Sequence, residues 1–227
     1  MHSAPALLIL HILLLVAWLG IDVGVFSSSF VMRRPDMSTG TRLTVRRIMR
    51  SLDLAPRVSL ILMIPVSLAL AHATGFGLNG TPDWLLWLVG VGGLAWAGVS
   101  IVSFRATGPT GAAPAWAALF ARVDGGLRGA ASAFFLGTGV WSLVGDGPWN
   151  ASWVAWKAAI FGAIIAMGLW IRVAARRYHP ALADLLENGE SEERLARVNE
   201  AIRGVYPPVL LIWSSLILMV ALAVVRP

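Results

Sequence analysis

PALLILHILLLVAWLGIDVGVFSSSFV, residues 5–31, decides what kind of molecule this is. A helix that crosses a bilayer needs about 20 mainly apolar residues. This run exceeds that length, with His11 and Asp22 its only ionisable groups. Five similar runs follow near 53–76, 83–104, 117–144, 152–172 and 205–225. The chain has 227 residues, of which 57% are apolar and 13% charged. Its mean hydropathy of +0.74 is too high for a soluble domain of this size. The expected fold is all-α: a polytopic membrane helical bundle of six transmembrane helices in one domain, residues 1–227.

A pI near 11.2 raises the question of nucleic acid, and the placement of charge answers it. Arginines 33, 34, 42, 46, 47, 50 and 57 follow the first run, arginines 105, 122 and 128 surround the third connection, and arginines 172, 176, 177, 194, 197 and 203 surround the fifth. The second and fourth connections carry none. The basicity is therefore topological, and no nucleic-acid partner is expected. The positive-inside rule puts the Arg-rich loops in the cytoplasm and both termini in the periplasm, with the chain in a bacterial inner membrane. The N-terminus has no basic leader region and no small-residue cleavage site, so the first run is expected to persist as a helix. The absence of cysteine removes disulfides, CxxC redox pairs, Fe–S clusters and thiolate copper sites.

The outer connections, 75–82 and 145–150, are dense in Gly, Asn and Pro and are expected to be tight turns. Trp84, Trp87, Trp149, Trp153 and Trp156 suit an outer aromatic belt. Trp84-x-x-Trp87 and Trp153-x-x-Trp156 each follow a Gly/Asn turn, a faint sign of duplication. A cytoplasmic helical connection is expected over 177–204, with a stop at Asn188-Gly189 and a restart capped by Ser191. Gly20 with Gly24, and Gly125 with Gly129, have the spacing of close helix contacts.

The polar residues inside the runs carry the chemistry. An ionisable group there costs a few kcal/mol, roughly 2.5–3.5 for Lys at the bilayer centre. Lys157 is the single lysine against seventeen arginines, and His11 and His72 are two of four histidines. At 1.5 Å per residue His11 lies about 9 Å, His72 about 6 Å and Lys157 about 7 Å below the outer surface. Two neutral imidazoles at matched depth on different helices suit axial ligation of haem iron, or copper. The alternative is two unrelated interface histidines bonded to carbonyls. His2 and His179 receive no role. Lys157 either snorkels to the interface, pairs with an anionic group such as a porphyrin propionate, or acts as a base. His11, Trp18, Asp22 and Ser29 share one helix face over about 27 Å. That stripe is either a proton path through Asp22 or a structural polar seam with Asp22 paired to an arginine. Asp124 and Arg128 are spaced to satisfy each other. The methionines form no MxxM or MxxxM run on a helix, which counts against a thioether copper relay.

Leu10-His-Ile-Leu-Leu-Leu-Val-Ala-Trp-Leu-Gly20 resembles the first helix of the HemJ-type protoporphyrinogen oxidases. CopD-type copper-resistance proteins and an uncharacterised six-helix membrane family are related to these. Arg46-Arg-Ile-Met-Arg50, Trp156-Lys157, Val198-Asn199-Glu200, Pro207-Pro208 and Val224-Val-Arg-Pro227 resemble further parts of the HemJ pattern. The resemblance covers the first, second, fifth and sixth spans, and residues from about 78 to 145 stand as two inserted helices. It implies that His11 binds haem b and that Lys157 is essential. It does not extend to His72, which joins His11 on depth alone.

The expected function is a haem-b-binding inner-membrane redox protein, either a HemJ-like oxidoreductase or an electron-transfer cytochrome b. His11, His72, Trp18 and Lys157 are the expected cofactor-binding residues, with Lys157 and Asp22 catalytic. Expected partners are the lipid bilayer and a quinone or redox protein, with self-association left open. The alternatives are a CopD-like copper transporter using His11 and His72, and a cofactor-free assembly subunit.

Overall fold

The computed structural model describes residues 3–34, 36–78, 80–107 and 113–226. His2, Asn79 of the second connection and the closing Pro227 lie outside them. The chain forms α1 (Ser3–Met32), α2 (Thr39–Ala73), α3 (Asp83–Ala106), α4 (Ala115–Val144), α5 (Ser152–Ala175), α6 (Tyr178–Asn188), α7 (Glu192–Arg203) and α8 (Tyr206–Val225). Among the described residues there is no strand. Six helical stretches are long and apolar enough to cross a membrane, in α1 to α5 and α8.

Sequence neighbours pack side by side: α1 on α2, α2 on α3, α3 on α4, α4 on α5, α5 on α8. Side chains close the ring between α8 and α1. Trp213 Nε1 donates to Asp22 Oδ2 at 2.8 Å, and the Ser29 and Tyr206 hydroxyls lie 3.0 Å apart. The α2–α3 and α4–α5 turns meet through an isolated antiparallel bridge between Leu78 and Trp149. Asn150 Nδ2 donates to Gly75 O across the same gap. These two turns therefore share one end of the bundle with the start of α1 and the end of α8.

The tightest contact is not at the expected glycines. A Cβ on Gly20, Gly125 or Gly129 would meet nothing within 4 Å, and one on Gly24 only Leu52 Cδ1 at 3.8 Å. Backbones instead touch between α4 and α5. A Cβ on Gly139 would lie 2.4 Å from Ala159 N, and one on Gly162 2.4 Å from Leu136 N. Ser132 Oγ donates to Gly162 O at 2.7 Å across that seam. Spacing of four along one helix marks a smooth face; a close contact needs small residues at the same height on two facing helices. Gly93 answers a different need, because Pro65 of α2 occupies the space a side chain would take.

α2 begins at Thr39, well before the apolar run at 53. Ser38 caps it, accepting from Thr41 N. The basic segment after α1 is thus mainly helix. Hydropathy ends a span at the first charges, whereas Arg, Leu and Met continue a helix readily. This extension packs on the α6–α7 hairpin. Met32, Tyr178, Leu182, Leu185, Val198 and Ile202 form a second core there. Arg42 is buried and donates to the carbonyls of Met32 and Arg34 at the end of α1. The hairpin follows its signals: Gly189 takes φ +78 after α6, and Ser191 Oγ accepts from Arg194 N at 3.2 Å.

Candidate functional site

A cavity of about 750 Å³ opens among α1, α2, α5 and α8 at the end of the bundle that holds the two turns. Its walls are apolar and aromatic: Trp18, Phe76, Phe135, Trp149, Trp153 and Phe161 all contribute. Apolar walls around a few polar groups are the usual make-up of a ligand site. Among the described residues, the ionisable ones lining it are His11, Lys157 and Arg226, and no carboxylate lines it.

Each polar group is set by its helix. Met63, Ser67, Ala71 and Thr74 of α2 recur at helical spacing and turn one face into the cavity. On that face Ser67 Oγ lies 3.3 Å from His11 Nδ1. If Nδ1 carries the proton and donates to Ser67, the lone pair sits on Nε2. A neighbouring hydrogen bond fixes the tautomer of ligating histidines in this way. Lys157 Nζ and Arg226 Cζ each lie 5.6 Å from the centroid of the same ring, Trp153.

His72 does not join His11. It lies on the face of α2 that carries Ile64 and Leu68, and lines a separate cleft of about 390 Å³ with α3 and α4. Its Nε2 is 3.0 Å from Asp83 Oδ1 at the exposed end of α3. His72 lies five residues beyond Ser67 on α2, which turns it about 140° away at 100° per residue. The expected imidazole pair is therefore corrected to one imidazole with a hydroxyl beside it. The thioethers of Met63 and Met219 line the same cavity as His11. Among the described residues no three His, Asp or Glu side chains converge as a metal site.

Trp18 is buried in the cavity wall, where the sequence put it. Asp22 is not a lining residue. It accepts from Trp213, with Asp53 and Arg57 as its charged neighbours, and among the described residues no arginine bonds it directly. The Asp124–Arg128 pair is present and larger than expected. Arg128 Nε lies 3.2 Å from both Asp124 oxygens, Trp96 Nε1 donates to Oδ1 at 2.6 Å, and Arg172 of α5 donates to Oδ2. One carboxylate thus ties α3, α4 and α5 together. Sequence reading gave no role to Ser67, Met63, Met219 or Arg226. The first two were visible as positions i and i+4 of one α2 face; Arg226 was visible only as part of the closing motif.

Comparison with protein-family models, with curated proteins and with solved structures finds no match.

Proposed function

We propose that this chain is a haem-b-binding redox protein of the bacterial inner membrane, a HemJ-like oxidoreductase or an electron-transfer cytochrome b. Both termini lie on the periplasmic side in this proposal, as the distribution of arginine requires. One observation carries it: His11, held by Ser67 at 3.3 Å, lines an aromatic-walled cavity of about 750 Å³. The donor set fits a macrocycle bound by one imidazole. His11 supplies Nε2, Ser67 holds the ring, and Trp18, Phe135 and Phe161 give apolar walls. Met63 and Met219 line the same cavity and would offer thioethers where a second imidazole was expected from His72. Haem supplies the electron-carrying iron, whose potential depends on axial ligand and burial.

The four helices that carry the HemJ resemblance supply most of the cavity wall, with Phe135 of α4 and Trp149 completing it, which supports the same function. Lys157 brings a cation to the site, to anchor an anionic group or take a proton. Asp22 stands outside the cavity, so its part is to hold α1 to α8. A quinone in the bilayer or a redox protein at the outer face completes the electron circuit.

Met63 and Met219 favour one second possibility. With His11 they present an imidazole and two thioethers, a donor set that soft copper(I) accepts. Purification separates the cases. A Soret band with split α and β bands on reduction is expected, and His11→Ala should lose most of it. A colourless protein that binds copper(I) would instead establish the CopD-like transporter, and a protein that binds neither an assembly subunit. Full haem content with an unchanged spectrum in His11→Ala would reject His11 as the ligand.

A further inference from the structure

We propose that Lys157 and Arg226 form a two-point clamp for an anionic amphiphile at the α5–α8 end of the cavity. The proposal rests on the cavity being a ligand site and names what its ligand must carry. Two cations from different helices flank one indole, each 5.6 Å from the Trp153 centroid. The ring face attracts each of them, but like charges sharing one ring repel. Among the described residues neither has a carboxylate within 4 Å, and no carboxylate lines the cavity. Lys157 is partly buried and Arg226 exposed, so an anionic group entering this end of the cavity would meet both cations.

The backbone sets where the Arg226 side chain leaves α8. Arg226 has φ 48 and ψ 56, the only positive φ outside glycine among the described residues. Left-handed backbone is unfavourable for a side chain as large as arginine. Many helices end in a left-handed residue, and Arg226 is the C-cap of α8. This turn off the end of α8 accompanies the placement of the guanidinium over Trp153. The Arg226 Nε bond to Ala223 O anchors one side of the head.

The required chemistry is a pair of anionic oxygens on an apolar body. A dicarboxylic tetrapyrrole has it, with both acids on one edge of an apolar plate, and so does an anionic phospholipid headgroup. A test uses the full chain in nanodiscs. In the first arm, discs of uncharged phosphatidylcholine are titrated with haem and with its dimethyl ester. The wild type should bind the free acid about tenfold or more better, as loss of a charge-assisted hydrogen bond predicts. Lys157→Gln and Arg226→Gln should each remove much of that preference while leaving ester affinity unchanged. Arg226→Lys keeps the charge and should keep the preference, which excludes misfolding as the cause. In the second arm, native mass spectrometry counts phosphatidylglycerol retained from mixed discs. Retention lost in the two Gln variants, with no acid preference in the first arm, would identify lipid as the source of the anion. Absence of any difference between wild type and the Gln variants in both arms overturns the clamp. Loss of haem binding altogether, with lipid retention intact, would defeat the haem proposal and leave the clamp standing.

Discussion

Trp213 Nε1 donates a 2.8 Å hydrogen bond to Asp22 Oδ2, joining the last membrane helix to the first. Below it Ser29 meets Tyr206, and Arg33 Nη1 also reaches the Tyr206 hydroxyl at 3.2 Å. Phe26 packs against both Tyr206 and Trp213. The polar stripe on α1 therefore has two uses along its length. His11 and Trp18 face the cavity, and the lower part is a seam that closes the ring of helices.

Asp22→Asn should be tolerated, because an amide oxygen still accepts from Trp213. Asp22→Leu leaves that indole N–H without its acceptor and should cost about 0.6–1.7 kcal/mol, the range of interhelical hydrogen bonds in membranes. Thermal unfolding in detergent measures the difference. Loss of turnover in Asp22→Asn at normal stability and cofactor content would instead restore the proton path.

Asp124 is the most exposed to failure by substitution. Asp124→Asn leaves Arg128 and Arg172 facing each other with no carboxylate between them. Removing one partner of a buried ion pair costs about 3–5 kcal/mol. Asp124→Asn combined with Arg172→Gln should recover part of the loss, since one uncompensated cation is gone. Denaturant titration of the single and double variants checks this, and equal stability of the two would show that the arginines do not share the carboxylate.

Much of this arrangement was legible in the sequence, and the errors have a common origin. The spans, the turn at Gly189, the Ser191 cap and the Asp124–Arg128 pair depend on neighbours in sequence, and each was found. His11 and Lys157, named from the sequence, line one cavity. What failed was rotation and pairing. His72, paired with His11 on expected depth alone, lies on a different face of α2 and lines another cleft. Gly20 and Gly125 were on smooth faces that meet no partner, while Gly139 and Gly162 met across two helices with no spacing within either to mark them. The helical start of α2 was hidden because hydropathy ends a span at its first charges, and it does not see Arg42 buried on the carbonyls of Met32 and Arg34 or Arg46 over the Tyr178 ring.

Ser67→Ala should weaken cofactor retention about 10- to 100-fold, the usual effect of removing the hydrogen bond behind a ligating histidine. The fold should be unaffected, since Ser67 is only part-buried. Haem content per protein after dialysis against apomyoglobin reads the change. Retention equal to wild type would mean that His11 is oriented by something other than Ser67.

The absence of cysteine makes topology directly measurable. Asp146→Cys in the α4–α5 turn should react with a membrane-impermeant maleimide applied to intact spheroplasts. Glu187→Cys in α6 should react only after permeabilisation. Both positions are exposed in the structure. The reversed pattern would invert the bundle and move the cavity to the cytoplasmic end.

Gly162→Ala should be costly and Gly20→Ala nearly silent, although both lie in membrane helices. A methyl at Gly162 would stand 2.4 Å from Leu136 N and 2.7 Å from Ser132 O, atoms of the α4 backbone that cannot rotate away. The helices must separate, which stretches the Ser132–Gly162 hydrogen bond. Overpacking of this sort costs about 1–3 kcal/mol. A methyl at Gly20 meets nothing within 4 Å and gains helix propensity. The separation of α4 from α5 would also shift Phe135 and Phe161, which are in edge-to-face contact at 5.1 Å and both line the cavity. Gly162→Ala should therefore lower cofactor affinity along with stability, whereas Gly20→Ala changes neither. Equal melting temperatures for the two variants would show that α4 and α5 do not meet at Gly162.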